Sequence, residues 1–110
     1  MGLIANYRGR FRVYREHVDE SMLMQEVRLD DFLAERYPPA FLQQFPEQAR
    51  EDREREKLEI QAAIIPGDTL WLWRHVDASH RTDGTWSEWG GLAVKRASEV
   101  IRVWLVWEDC

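Results

Sequence analysis

Histidine and aspartate residues are concentrated in one short stretch of this chain. His75, Asp77, His80 and Asp83 all lie between positions 75 and 83. Imidazole and carboxylate groups are the ligands that zinc and other divalent metals take, and they also act as general acids and bases. Because the spacing in HVDASH fits no metal geometry, we expect no bound metal and no cofactor. These four residues remain the candidates if the loop is catalytic.

No other group of residues predicts catalysis. Ser79 and His80 are neighbours in the chain, but a nucleophile and its base are brought together in space rather than by adjacency. Gly90 and Gly91 are too few glycines for a phosphate-binding loop, and helical spacing does not follow them. We therefore assign no catalytic residue and lean toward a protein that is not an enzyme.

Tryptophan suggests binding instead. The chain has six Trp residues among 110, and Trp is enriched among the residues that dominate the energy of protein interfaces. Trp86 and Trp89 lie in or beside a polar stretch, where an indole has little core to fill, and Glu88 lies between them. Two interpretations stay open: these indoles contact a partner, or they complete the core.

The elements that position these residues are strands in the last third of the chain. From Asp68 onward the apolar residues recur with a period of two, which predicts strands. The connections are too short for the crossover of a parallel pair, so we expect an antiparallel meander with a polar loop over 77–88. The alternating segment 7–18 is a candidate additional strand. The three predicted strands of the meander are 68–76, 90–96 and 99–107.

Helical spacing occupies the middle of the chain, beginning at Met22. It predicts a helix over 31–36 capped by Asp30, then a short turn over 40–45, and the longest helix over 47–64. The longest helix contains the run REDREREK at 50–57, in which opposite charges recur at spacings of three and four. This run is either solvated or docks on a partner through its charges. The fold class is therefore α+β in a single domain over 1–110, with an antiparallel sheet of three or more strands packed against helices from residues 22–64.

Side-chain alternation assigns residues to the two faces of the sheet. One face is aliphatic, and the other carries an aromatic and basic set of residues. If the helices cover that second face, its indoles are core; if it is partly open, it can bind a partner or stack single-stranded nucleic acid. The residues of this set are Trp71, Trp73 and Trp104, with Arg102 and Lys95.

Charge and composition narrow the choice of partner. The net charge is −5, from 20 acidic and 15 basic residues, which disfavours nucleic acid and anionic membranes and favours a protein with a basic surface. The only cysteine is Cys110, so an intramolecular disulfide cannot form. No apolar run reaches the length of a signal peptide or a membrane span. We expect a cytoplasmic protein.

The segment 66–101 resembles a pattern in small bacterial proteins of uncharacterised activity. It reads Pro66-Gly67-Asp68 with Leu70-Trp71, then a loop Trp, then GGLAVKR and EVI. The resemblance covers about a third of the chain and implies a bacterial accessory protein, without implying an activity or a catalytic residue.

Three functional hypotheses follow. The first is a small bacterial, non-enzymatic protein-binding module of the immunity or inhibitor type, whose candidate contacts are Trp86, Glu88, Trp89, Arg102 and Trp104. The second is a small enzyme, or an accessory domain of an enzyme, that uses the loop from His75 to Asp83. The third is single-stranded nucleic-acid binding on the Trp-bearing face of the sheet.

The metal hypothesis is directly testable. We expect elemental analysis of protein purified without chelator to show no stoichiometric metal, because the sequence has neither several cysteine ligands nor a recognised ligand spacing. Stoichiometric zinc that disappears in His75→Ala or His80→Ala would instead make the metal-dependent enzyme the leading hypothesis.

Overall fold

A computed structural model describes residues 11–77 and 87–109 of the protein. Five strands form one antiparallel sheet in the order β1-β5-β4-β3-β2, and three helices cover one of its faces, which we call the helix side. This arrangement confirms the predicted α+β fold class and its antiparallel sheet. The elements are β1 (Arg12–Val13), a 3₁₀ turn (Glu20–Met22), β2 (Leu23–Val27), α1 (Leu29–Arg36), α2 (Pro39–Gln44), α3 (Pro46–Ala63), β3 (Thr69–Asp77), β4 (Ser87–Arg96) and β5 (Glu99–Asp109).

The predicted C-terminal meander is confirmed. Strands β3, β4 and β5 pair in succession, each antiparallel to the next. Strand β4 begins at Ser87, three residues before the predicted start, so Glu88 and Trp89 lie in the sheet and not in the loop. The rest of the predicted loop, with His80, Asp83 and Trp86, lies outside the described residues.

The helical prediction for residues 22–28 is wrong, because Leu23–Val27 is a strand that pairs with β3. Leu23 and Val27 are four residues apart, a spacing that fits the helical period and the strand period equally well. A bulge at Met24 then places Leu23 opposite Trp73 and Val27 opposite Leu70, on different faces of the sheet. Pairing at the sheet edge therefore decides the structure of this segment.

The alternating N-terminal segment forms a strand only at Arg12–Val13. After the backbone N–H of Tyr14 donates to the carbonyl of Val103, the chain leaves the β5 edge and reaches β2 at the opposite edge. This stretch, residues 14–22, is the crossing segment. It packs Val18 and Met22 against Trp73 and its neighbours on the face away from the helices, which we call the second side.

The first and last residues of the three helices agree with the prediction to within about two residues. The capping residue predicted for α1 is wrong. Helix α1 begins at Leu29 after Arg28, so Asp30 lies in the first turn and does not cap the helix. Asp30 is favourable there, since a carboxylate near a helix N-terminus complements the helix dipole. Helices α2 and α3 each begin with a proline, a residue that lacks an N–H and is therefore tolerated in the first turn. Across the described residues, every helix is too short or too polar to span a lipid bilayer.

The prediction that Trp71, Trp73 and Trp104 share a face is wrong. Leu72 lies opposite Leu92, which lies opposite Trp104, so Trp104 is on the helix side. Trp73 is on the second side with Leu105. When a strand is apolar on both faces, its alternation alone does not show which residues face the helices.

Gly90 and Gly91 allow these indoles to pack closely. The pairing shifts here, with Gly90 opposite Trp107 and Gly91 opposite Leu105, so Val106 is the extra residue of a β-bulge. A side-chain carbon added at Gly91 would come within 3 Å of the Trp104 carbonyl oxygen, and one at Gly90 would collide with the Trp107 ring. The same Trp104 oxygen accepts a hydrogen bond of 3.1 Å from the Trp73 indole.

We expect Gly91→Ala to lower the free energy of unfolding by about 3 kcal/mol, because the new methyl group meets backbone atoms that cannot move without breaking the bulge. Urea denaturation measures the loss. Gly67→Ala is the control: its surroundings are open and only its positive φ of 96° is unfavourable, so we expect a loss of about 1 kcal/mol. Equal losses at the two positions would contradict this explanation.

Candidate functional site

Trp89 lies on the second side, at the end of the sheet next to the undescribed residues 78–86. On β3, His75 is directly opposite Trp89, and the two ring centroids are 4.7 Å apart. The Trp89 indole nitrogen donates to the Tyr14 hydroxyl oxygen at 2.9 Å. All three side chains are half-buried. We call these three residues the Trp89 cluster.

Tyr14 connects the Trp89 cluster to the crossing segment. Its ring packs on Trp73 with centroids 5.0 Å apart, and its hydroxyl donates to the Glu16 carboxylate at 2.9 Å. Burial raises the pKa of Tyr14, and the hydrogen bond to Glu16 raises it further. The hydroxyl therefore keeps its proton at neutral pH, donating to Glu16 while accepting from Trp89, and this fixes the orientation of both rings.

Two ion pairs lie at this end of the sheet, one on each face. Arg12 and Glu108 are 2.7 Å apart on strands β1 and β5, with about half of each side chain exposed, and Glu108 is the residue opposite Trp89. Arg74 and Glu88 are 3.0 Å apart on β3 and β4. Exposed pairs of this kind add about 0–1 kcal/mol to stability. Only the Arg12–Glu108 pair shares the second side with the aromatic rings, because Arg74 lies opposite Gly90 and Glu88 opposite Val76, on the helix side.

The structure places the predicted contact residues in three regions. Trp89 is the centre of the cluster. Glu88 precedes it in β4 but faces the helix side, where it pairs with Arg74. Arg102 is exposed on β5, six residues from Glu108. Trp104 is fully buried, with its indole nitrogen donating to Glu59 at 2.6 Å, so a partner cannot reach its ring in this conformation.

The predicted aromatic-basic patch is reduced to Trp71 and Lys95. The Lys95 ammonium lies 5.4 Å from the centre of the Trp71 ring, in the range of a cation–π contact. The same ammonium is 2.8 Å from the Glu20 carboxylate of the crossing segment. Because this cation is already paired, the patch offers little positive charge to a phosphate backbone.

Of the four candidate metal ligands, the described residues include only His75 and Asp77. His75 packs on Trp89, and Asp77 is the last residue of β3, opposite Ser87. Within residues 11–77 and 87–109, no three His, Cys, Asp or Glu side chains are arranged to hold a metal ion.

A buried polar cluster between α1 and α3 was missed by the sequence analysis. Arg36 and Glu56 are only 5% and 4% exposed, and the Arg36 Nε donates to Glu56 at 2.6 Å. The Tyr37 hydroxyl donates to the other oxygen of Glu56, also at 2.6 Å. The interpretation of the whole run 50–57 as solvated is therefore wrong at Glu56. A signal was present, since Ala49, Glu56 and Ile60 are seven and four residues apart and share one helical face.

Comparison of the chain with models of protein families, with curated proteins and with solved structures finds no match.

The buried cluster predicts a loss of stability at high pH. Burial, and after it the hydrogen bond to Glu56, raises the pKa of Tyr37 well above its usual value. Above about pH 10 the unfolded chain releases this proton while the folded protein keeps it, so stability falls as pH rises, by up to about 1.4 kcal/mol per pH unit.

We expect urea melts between about pH 9 and 11 to show a shallower decline for Tyr37→Phe than for the native protein, because phenylalanine has no proton to lose. At neutral pH the same variant should be less stable than the native protein, since Glu56 loses a donor. Identical declines in the two proteins would mean that Tyr37 ionises as readily in the folded state as in the unfolded chain.

Proposed function

We propose that the protein is a non-enzymatic protein-binding module, of the bacterial immunity or inhibitor type, that contacts its partner through the Trp89 cluster. The observation that supports this proposal is that the half-buried Trp89 indole is fixed on two sides. Its nitrogen is bonded to Tyr14 and its ring packs on His75. A large aromatic surface is therefore presented in one orientation before any partner arrives.

Preorganisation of this kind favours binding. Ordering a side chain at an interface costs about 0.5–1.5 kcal/mol, and a tryptophan already held by its neighbours avoids that loss. Two members of the cluster, His75 and Trp89, lie on strands β3 and β4. The third, Tyr14, directly follows β1, and its backbone is hydrogen-bonded to Val103 of β5. Trp and Tyr are residue types typical of interface cores.

The charge of the surroundings supports a partner with a basic surface. The Glu16 carboxylate accepts a hydrogen bond from Tyr14 without a cation beside it among the described contacts, whereas Glu108 is already paired with Arg12. The chain as a whole carries a net charge of −5. Negative charge around an aromatic contact accelerates encounter with a positively charged partner and helps to select it.

The enzymatic alternative rests on His75, whose half-buried imidazole lies two residues before the end of β3. An imidazole in that position can act as an acid or a base in chemistry carried by the residues predicted to form the following loop. An activity abolished by His75→Asn but retained in Trp89→Phe would favour this alternative over a binding role.

The proposal is tested by tryptophan variants used as bait in lysate of the organism that encodes the protein. We expect a protein captured by the native chain to be lost with Trp89→Ala, and titration of that protein to show binding weaker by about 30-fold, the effect of about 2 kcal/mol at an interface hot spot. If the captured protein is an enzyme or toxin, its inhibition by the native chain should weaken in parallel.

Trp71→Ala is the matched control, because Trp71 is also a half-buried indole on the second side but lies away from the Trp89 cluster. It should retain the partner. Trp73→Ala calibrates folding, since this fully buried indole should cost about 3–5 kcal/mol of stability. Retention of the partner by Trp89→Ala would contradict the binding role. A stability loss in Trp89→Ala as large as in Trp73→Ala would show that Trp89 serves the core.

A further inference from the structure

Within the part of the chain that the structure describes, no strand pairs with the outer edge of β2. In the strand order β2 is the outermost element next to β3. Alternate N–H and C=O groups of an edge strand face away from the sheet. The bulge at Met24 interrupts the ladder near the start of β2, but the backbone then remains extended through Arg28, whose φ and ψ are −93° and 149°. Residues 25–28 therefore form an extended stretch at the sheet edge.

A groove of about 440 Å³ lies between this edge and α1. Val27, Phe32 and Leu72 contribute apolar surface to it, and the last two are buried to 1% and 5% exposure. The groove is thus continuous with the open edge on one side and with the core beneath it. An extended chain lying along β2 would direct alternate side chains into this space.

The charges that line the groove are uncompensated. Asp31 and Glu35 contribute two carboxylates against the single cation of Arg28, whereas Glu26 lies opposite Trp71 and faces the second side. Within the described residues none of these four side chains has an ion-pair partner. Asp31 and Glu35 are four residues apart in α1, an arrangement in which like charges repel.

The negative charge of Glu35 is unfavourable for a second reason. It lies in the last turn of α1, where a negative charge opposes the helix dipole. The cation in that turn, Arg36, is directed to the buried Glu56. A positive charge bound in the groove would reduce both the repulsion between Asp31 and Glu35 and the unfavourable interaction of Glu35 with the helix dipole.

We propose that the β2 edge and this groove bind an extended, basic peptide segment of a protein partner by strand addition. The backbone of the segment continues the sheet beyond β2. Its lysine or arginine side chains on the helix side lay their apolar stems along the groove and pair through their charged ends with Asp31 and Glu35. The site is on the helix side of the sheet edge, away from the Trp89 cluster. The proposal of strand addition can therefore be tested independently of the function proposed above.

The probe is a fluorescein-labelled peptide of alternating Lys and Val, titrated with the full chain at low ionic strength and followed by anisotropy. We expect saturable binding, and affinity about tenfold lower for the double variant Asp31→Asn, Glu35→Gln, because two exposed ion pairs are lost. The matched control is Glu47→Gln, Glu51→Gln. It removes the same charge at the same spacing from α3, and we expect it to bind like the native chain.

Two further peptides test strand addition itself. Each carries N-methyl groups on one of the two alternating sets of residues, so each blocks the hydrogen bonds of one backbone edge while the charge is unchanged. We expect one to bind like the parent peptide and the other to lose binding, because only one edge faces β2.

Four results would overturn the proposal. They are an absence of saturable binding, equal binding by both methylated peptides, equal effects of the two double variants, and self-association of the chain that Asp31→Asn, Glu35→Gln abolishes. The last result would show that a second copy of this chain occupies the edge.

Discussion

The close approach of two tryptophans to β4 is the constraint on which the sheet depends. Trp107 packs against Gly90 from the helix side, while Gly91 lies against the Trp104 carbonyl that accepts the Trp73 hydrogen bond from the second side. The bulge at Val106 makes both contacts possible, because it turns Trp107 toward the helices together with Trp104. The central strand is therefore buried on both faces, and each face needs a cover. The helices provide one cover and the crossing segment the other.

The crossing segment is the thinner cover, and the candidate site arises where it meets the sheet. Its side chains bury Trp73 and Leu105, but nine residues cannot enclose a face as wide as the one that three helices cover. At the end where Tyr14 enters, the aromatic rings of Trp89 and His75 are left half-buried. The cluster is thus a consequence of how the second side is covered, and its order comes from the same Tyr14 contacts that anchor the segment.

The meander, the long helix and the fold class were predictable because their signals are local. The period of two after Asp68 and the uninterrupted helix formers of 47–63 report on each segment alone. Three features were missed, and each is decided by contacts between distant segments. The structure of Leu23–Val27 is decided by pairing with β3, the face of Trp104 by the register of β5 against β4, and the burial of Glu56 by Arg36, which is 20 residues away. Trp89 was predicted as a binding candidate, but its link to Tyr14 joins residues 75 positions apart.

The position of β1 has a consequence for the time at which the fold can be completed. Its pairing partner is β5, and the Arg12–Glu108 ion pair joins residues 96 positions apart. A ribosome that adds about 5–20 residues per second needs roughly 5–20 seconds to cover that interval. Until then β1 has no neighbour, and the crossing segment has no complete sheet to lie across. Helix formation can precede the closure of the second side, so a nascent chain passes through a stage in which Trp73 lacks its cover and is available to chaperones.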